Sequence, residues 1–276
     1  MGSEKDFFCP ANGPPESGRP LPSARDRDSG GLRLRSDENL ILLRHGQSVY
    51  NREKRFTGWA DVPLSPTGEA EARRAGRLLR SQGLEYEIAF TSLLKRAIKT
   101  LWLVSEEMEL EWVSAVKAVE LNERHYGALQ GRTRDEVAAL AGEEQVRLWR
   151  RGFSERPPPL DYDDPRHPRF DRRYRFLAAD RLPSAEALAD VSDRIVPFWT
   201  DRIAPEVRSG RRVLVVSHGN ALRALVKYLE GISDDGIAAV EIPTGVPLVY
   251  HLGPDLRPRS RRLLFEEEGI ADDRRY

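Results

Sequence analysis

The chain has 276 residues, of which 39% are hydrophobic and 32% are charged, and its 44 basic residues balance its 44 acidic residues. This length fits one large α/β domain with a substantial core, or at most two small domains, and the balanced charge excludes the global basic field of many nucleic-acid-binding proteins. The apolar runs are too short for a membrane helix, which needs about 18 residues. The single cysteine, Cys9, excludes an internal disulfide and a thiolate zinc site.

The first 37 residues differ in composition from the rest of the chain. Through Ser36 they include five Pro, five Gly and five Ser, and they show no apolar periodicity and no apolar stretch typical of a secretory signal. We therefore expect residues 1–37 to be a disordered N-terminal extension.

From residue 38 to residue 254, strand-like and helix-like segments alternate, which predicts an α/β domain with a mainly parallel sheet and helices on both faces. Ser65 is the expected N-cap of a helix that Gly83 stops. The other predicted elements are strands at 40–43, 88–91, 213–216 and, last, 246–252, and helices at 94–107, 143–151, 184–207 and 221–229. The helix at 184–207 contains Pro197 and Pro205, at which we expect kinks or breaks.

Two further segments are expected to lie outside this alternation. A proline-rich stretch, 157–175, predicts a loop within a lid that spans about 123–182 and covers the carboxyl ends of the strands. Residues 255–276 form a charged C-terminal tail, interpreted either as a flap or as a frayed end.

Two histidines follow two of the predicted strands. The strand 40–43 leads directly into Arg44 and His45, and the strand 213–216 leads through one serine to His218. Because ligands of open α/β sheets bind at the carboxyl ends of strands, we expect the two imidazoles to face one crevice. Arg44 favours an anionic ligand, since a guanidinium fits a phosphate in bidentate fashion. A two-histidine metal site is the competing interpretation, but the arginine would repel a divalent cation, so no metal is expected.

The residues around His45 resemble the RHG signature of the histidine phosphatase superfamily. A longer ordered set resembles the cofactor-dependent phosphoglycerate mutases across residues 40–252. These motifs are RFTGW at 55–59, TSLLKRA at 91–97, LNERHYGAL at 121–129, WRRG at 149–152, SHGN at 217–220 and IPTGVP at 242–247.

The resemblance implies an enzyme that interconverts 2-phosphoglycerate and 3-phosphoglycerate in glycolysis and gluconeogenesis. It implies that His45 becomes phosphohistidine, that Arg44 and Arg96 clamp phosphate, that His218 stabilises the transition state, and that Glu123 donates and accepts the proton. It further implies priming by 2,3-bisphosphoglycerate, no metal, a cytoplasmic location and a homodimer or homotetramer. The implied partners are small-molecule phosphoglycerates, with no nucleic acid and no membrane.

A larger set of residues matches the ligand shell of that family. The implied substrate-binding residues are Arg44, Asn51, Thr57, Gly58, Arg96, Glu123, Tyr126, Arg134, Arg150, Arg151, Gly219 and Asn220. Arg134 stands where most of these mutases have Lys, and Gln47 replaces the usual Glu after the RHG signature. These two differences and the short tail bear on the balance between mutase and phosphatase activity.

Three alternative functions remain open. A phosphatase and a bisphosphoglycerate mutase would use the same His45, and a non-catalytic protein would bind a phosphorylated metabolite as a scaffold. Ser48 and the run 56–59 are of the phosphoglycerate mutase type, which favours that activity over bisphosphoglycerate synthesis. The intact catalytic set argues against the scaffold.

Overall fold

The computed structural model describes residues 37–265. The predicted extension up to Ser36, including Cys9, and residues 266–276 of the predicted tail lie outside the described residues. Across residues 37–265, six strands form one sheet and eight α-helices accompany it. The strands are β1 (Leu40–Arg44), β2 (Ile88–Thr91), β3 (Ala115–Lys117), β4 (Val213–Ser217), β5 (Pro247–Leu252) and β6 (Pro258–Leu263). The helices are α1 (Val49–Arg52), α2 (Pro66–Ser81), α3 (Lys95–Met108), α4 (Arg134–Ala141), α5 (Glu143–Arg151), α6 (Leu188–Phe198), α7 (Ala204–Arg208) and α8 (Gly219–Glu230).

The sheet has the strand order β3-β2-β4-β1-β5-β6. Strands β1 to β4 are parallel to one another, whereas β5 is antiparallel to both of its neighbours. In the β1–β4 pair, Arg44 lies opposite Ser217, so the two strands end at the same level. The mainly parallel sheet is therefore confirmed, and it places the residues that follow β1 and β4 side by side.

Both faces of the sheet are buried. Leu40 and Leu42 of β1 belong to a core cluster with α6 and α8, while Ile41 and Leu43 belong to a second cluster with α2 and α3. Because successive side chains of a strand point to opposite faces, a strand covered on both sides is apolar throughout. The predicted helices on both faces are confirmed.

The start of α2 shows how the sequence sets a helix boundary. Ser65 Oγ accepts a hydrogen bond from the backbone N–H of Gly68 at 3.1 Å, and Pro66 occupies the first turn. The helix ends at Ser81, shortly before Gly83, which has a φ of +64°. The predicted cap is therefore present, and the chain leaves the helix at the glycine that can adopt this conformation.

The structure corrects two of the predicted elements. The helix predicted over 184–207 begins only at Leu188, and the interruption expected at its two prolines takes the form of a π-helical turn, Trp199–Ile203, which separates α6 from α7. The predicted strand 246–252 is not the last one. β6 lies inside the predicted charged tail and pairs with β5, and it carries exposed arginines because it forms an edge of the sheet.

The predicted lid region, 123–182, contains α4, α5 and short 3-10 turns. These turns are Gly127–Leu129, Pro168–Phe170, Arg172–Tyr174 and Ala179–Arg181. Two further 3-10 turns are Val119–Leu121, just before this region, and Gly236–Ala239, between α8 and β5. In the part of the chain that the structure describes, we find no helix that is long and apolar enough to cross a membrane.

Candidate active site

Two imidazole rings lie together at the carboxyl edge of the sheet. The ring centroids of His45 and His218 are 4.9 Å apart, and the ring planes make an angle of 65°. His45 is 3% exposed and His218 is 0% exposed. The backbone N–H of His45 donates to the carbonyl of Ser217 at 2.9 Å, which extends the β1–β4 ladder to the histidines. The expected juxtaposition of the two histidines is confirmed.

The hydrogen bonds of His45 leave one nitrogen as a nucleophile. Nδ1 lies 2.6 Å from the carbonyl oxygen of Gly46, which can only accept, so Nδ1 carries the proton and Nε2 keeps its lone pair. Burial, together with the charges of Arg96 and Arg44, holds the pKa of His45 well below its usual 6.5. The imidazole is therefore neutral near pH 7, as nucleophilic attack requires.

Arg96 places a fixed cation at this nitrogen. Its Nε donates to His45 Nε2 at 3.2 Å, and its Nη1 and Nη2 donate to the carbonyls of Ala60 and Gly58, both at 2.9 Å. The side chain is buried, and this burial lowers its pKa to about 10, which still leaves it charged at neutral pH. A guanidinium that hydrogen bonds fix in position can stabilise the negative charge of a phosphoryl group during its transfer.

His218 faces the same point from β4. Its Nε2 lies 2.7 Å from Ser92 Oγ, while its buried Nδ1 has no hydrogen-bond partner within residues 37–265. Burial and the neighbouring Arg96 lower the pKa of His218 well below its usual value. Arg44 Nη1 donates to the carbonyl of Ile242 at 2.8 Å, which fixes the direction of this second arginine.

Glu123 carries a buried carboxyl group that lies against the start of α8. Its Oε1 accepts the backbone N–H groups of Arg124 at 2.8 Å and Asn220 at 3.1 Å. Asn220 lies in the first turn of α8. The side chain is 7% exposed, and Tyr126 beside it receives a hydrogen bond from Asn220 Nδ2 at 3.2 Å.

A cavity of about 180 Å³ opens beside these groups. Of the twelve predicted substrate-binding residues, all within the described range, eleven line this cavity, and Arg96 does not. The eleven are Arg44, Asn51, Thr57, Gly58, Glu123, Tyr126, Arg134, Arg150, Arg151, Gly219 and Asn220. Burial is the largest cause that lowers the pKa values of Arg134 and Arg150, and the charges of neighbouring arginines lower them further. The cavity wall is therefore crowded with cations, which favours an anionic ligand.

Among known protein families, the sequence model of the histidine phosphatase superfamily (branch 1) matches residues 40–165 and 161–251 of this chain. The chain belongs to this superfamily.

Several solved structures are similar in fold to this chain. A mycobacterial glucosyl-3-phosphoglycerate phosphatase, in complex with VO3, is 25% identical with a TM-score of 0.61, covering 82% of this chain and 96% of that chain. A putative alpha-ribazole-5'-P phosphatase from Escherichia coli is 22% identical with a TM-score of 0.59, covering 80% of this chain and 95% of that chain. The alpha-ribazole phosphatase from Shigella flexneri is 20% identical with a TM-score of 0.58, covering 80% and 95% respectively. These neighbours carry phosphatase names, whereas the sequence motifs resemble mutases.

The cavity of this histidine phosphatase superfamily member also has lining residues that sequence reasoning did not assign to the site: Arg55, Phe56, Arg223, Glu241, Ile242 and Pro243. Arg55, Phe56, Ile242 and Pro243 stand within the quoted motifs and Glu241 directly precedes one of them, so their positions could have suggested them, whereas Arg223 lies beyond the motif at 217–220. Glu241 pairs with Arg151 across a separation of 90 residues, for which the sequence offers no signal.

The described residues offer no obvious metal site for this superfamily member. Among residues 37–265, no group of three or more His, Cys, Asp or Glu side chains is placed to hold a metal ion. The charge that surrounds His45 comes from arginines instead.

Proposed function

We propose that this chain is a 2,3-bisphosphoglycerate-dependent phosphoglycerate mutase. The observation that carries the proposal is the cationic cavity beside the histidine pair. Arg44 and Arg96 suffice for one phosphoryl group at His45, and Arg134, Arg150 and Arg151 provide further guanidinium groups in or beside the same cavity. This arrangement fits a small substrate with a second anionic group, such as the carboxylate of a phosphoglycerate.

The proposed priming step forms phosphohistidine from 2,3-bisphosphoglycerate, which is the substrate that His45 attacks first. His45 Nε2 attacks phosphorus, the N–P bond forms, and the P–O bond to the substrate breaks while the proton of the Glu123 carboxyl passes to the departing oxygen. As Nε2 attacks, Arg96 Nε exchanges its 3.2 Å hydrogen bond to that nitrogen for one to a phosphoryl oxygen. Arg44 and His218 stabilise the remaining charge on the phosphoryl oxygens.

In the proposed mutase cycle, the phosphorylated enzyme then binds a phosphoglycerate, and the same steps run in reverse at its free hydroxyl to give 2,3-bisphosphoglycerate. Glu123, now a carboxylate, takes the hydroxyl proton while the hydroxyl oxygen attacks phosphorus, and the N–P bond pair returns to His45 Nε2. His45 then takes the other phosphoryl group of this intermediate, which releases the isomerised phosphoglycerate and restores phosphohistidine. Phosphoryl groups from 2,3-bisphosphoglycerate would prime His45. Arg134, Arg150 and Arg151 fit the second phosphate of this primer as they fit the substrate carboxylate.

An assay with 3-phosphoglycerate tests the proposal. We expect conversion to 2-phosphoglycerate that depends on 2,3-bisphosphoglycerate, survives EDTA, and disappears in His45→Ala. Labelled 2,3-bisphosphoglycerate should leave acid-labile label on the wild type but not on His45→Ala. Release of inorganic phosphate with no isomerisation, or loss of activity on chelation that manganese restores, would refute the mutase assignment.

A phosphatase with the same nucleophile is the second candidate, and the names of the structural neighbours favour it. In that reaction, water replaces the second hydroxyl, Glu123 accepts its proton, and inorganic phosphate leaves His45. The ratio of phosphate released to phosphoglycerate isomerised decides between the two activities. A ratio far above one over several substrates would assign the chain as a phosphatase.

A further inference from the structure

A buried ion pair lies behind the active site. Glu186 precedes α6, and Arg194 lies on α6. Arg194 Nε donates to Glu186 Oε1 at 2.7 Å, and Arg194 Nη2 donates to Oε2 at 3.0 Å. Glu186 is 5% exposed and the Arg194 side chain is 17% exposed, so this is a largely buried bidentate pair.

The same two side chains hold the backbone that carries Glu123. Arg194 Nη1 donates to the carbonyl of Glu120 at 2.6 Å, and Nη2 donates to the carbonyl of Glu123 at 3.0 Å. On the other side of Glu123, Glu186 Oε2 accepts the N–H of His125 at 2.8 Å, and the N–H of Glu186 donates to the His125 carbonyl at 2.8 Å. The segment is therefore fixed both before and after Glu123.

Neither member of the pair belongs to the wall of the catalytic cavity. Glu186 and Arg194 line a separate cavity together with Val119 and Trp59, and Trp59 Nε1 also donates to the Glu123 carbonyl, at 2.6 Å. A general acid must bring its oxygen to about 2.6–3.2 Å from the reacting oxygen, so a shift of its backbone directly changes its efficiency.

We infer that Glu186 and Arg194 are positioning residues that set the reach of Glu123 as a proton donor. The inference rests on the proposed role of Glu123, but it does not depend on the identity of the natural substrate. It is therefore testable with simple phosphate esters.

Two aryl phosphates separate proton donation from general damage to the enzyme. p-Nitrophenolate leaves readily without a proton, whereas phenolate is a poorer leaving group that benefits from one. We expect Glu186→Gln to slow the phosphorylation of His45 by phenyl phosphate about 10–100-fold, within what a general acid contributes, and by p-nitrophenyl phosphate less than about 3-fold. Arg194→Lys keeps the charge but loses the planar fork, and it should show the same selective loss. Glu123→Gln removes the proton donor itself and therefore gives the largest selective loss on phenyl phosphate that the other two variants can approach.

Arg181→Gln is the matched control. Arg181 Nη2 donates to Glu120 Oε1 at 3.1 Å, so it touches the same segment, but its side chain is 56% exposed. This variant should leave both rates unchanged. Equal losses on both esters in Glu186→Gln and Arg194→Lys, or no loss on either ester, would overturn the inference. If the wild type phosphorylates His45 from both esters but does not act on phosphoglycerates, the proposed function fails and the positioning inference stands.

Discussion

Mild acid should unfold this protein while most of its carboxylates are still ionised. His45, His125 and His218 are buried, and burial is the main cause that lowers their pKa values, to about 3 for His125 and well below the usual 6.5 for the other two. Below pH 6.5 the unfolded chain binds protons at these positions that the folded chain does not bind. The stability they provide is therefore fully present above pH 6.5 and is lost as the pH falls toward the folded-state values.

The size of the effect follows from the number of protons. Once the unfolded histidines are protonated, three extra protons lower the free energy of unfolding by about 4 kcal/mol per pH unit. A domain of ordinary stability has about 5–15 kcal/mol, so about two pH units of acidification would remove most of it. His167, whose pKa burial also lowers, adds to the slope in the upper part of this range.

Urea denaturation at a series of pH values between 7.5 and about 4.5 measures this slope through the free energy of unfolding. His125 is the one of these three histidines that lies outside the His45–His218 pair. In His125→Gln, the slope of the free energy of unfolding against pH should therefore fall to about two thirds of the wild-type value. Enzymatic activity should decline in acid together with unfolding. A wild-type slope of less than about one proton over this range would refute the reasoning, because it would mean that the buried imidazoles titrate normally.

Three further predictions concern the backbone, the last strand and the cationic wall. Gly58→Ala should lower the melting temperature and the catalytic rate, because Gly58 has a φ of +54° and an added Cβ would lie 2.1 Å from Gln130 Oε1; thermal melts and initial rates check this. Truncation after Pro254 removes β6 and should lower the melting temperature by at least about 5 °C. Truncation after Phe265 keeps β6 and should leave the melting temperature unchanged. Equal melting temperatures for the two truncated proteins would contradict this prediction. Arg134→Met should raise KM for 3-phosphoglycerate about 10-fold or more, because the substrate loses a charged hydrogen bond. KM for p-nitrophenyl phosphate, which has no second anionic group, should stay nearly unchanged. Equal changes in both KM values would be evidence against a second anion site.

The sequence revealed those parts of the fold whose cause is local. β1, β2 and β4 are continuous apolar runs because both of their faces are buried, and α2 begins at a serine that caps it. The histidine pair followed from strand ends, and the motifs supplied the arginines. The resemblance, rather than any physical rule, pointed to Glu123.

The elements that sequence reasoning missed depend on distant contacts. β3 and β6 are edge strands with exposed or half-exposed side chains, so they lack an apolar run or a clear alternation. The π-helical turn between α6 and α7 has no periodicity of its own. Glu186 and Arg194 are only eight residues apart. Their importance comes from the backbone carbonyls that Arg194 binds, those of Glu120 and Glu123, which lie more than 60 residues earlier in the sequence.

The position of β1 in the sheet has a consequence for biosynthesis. β1 leaves the ribosome before β4 and β5, the two strands that it pairs with in the described sheet, and the earlier of these in the sequence begins at Val213. The nascent strand Leu40–Arg44 must therefore wait for more than 150 further residues, about ten seconds or more at ordinary elongation rates, before its backbone groups find partners. Such an unpaired apolar strand can associate with other chains. We expect the yield of native protein in cells to depend on chaperones that shield this strand during synthesis, even though its local structure is among the easiest to foresee.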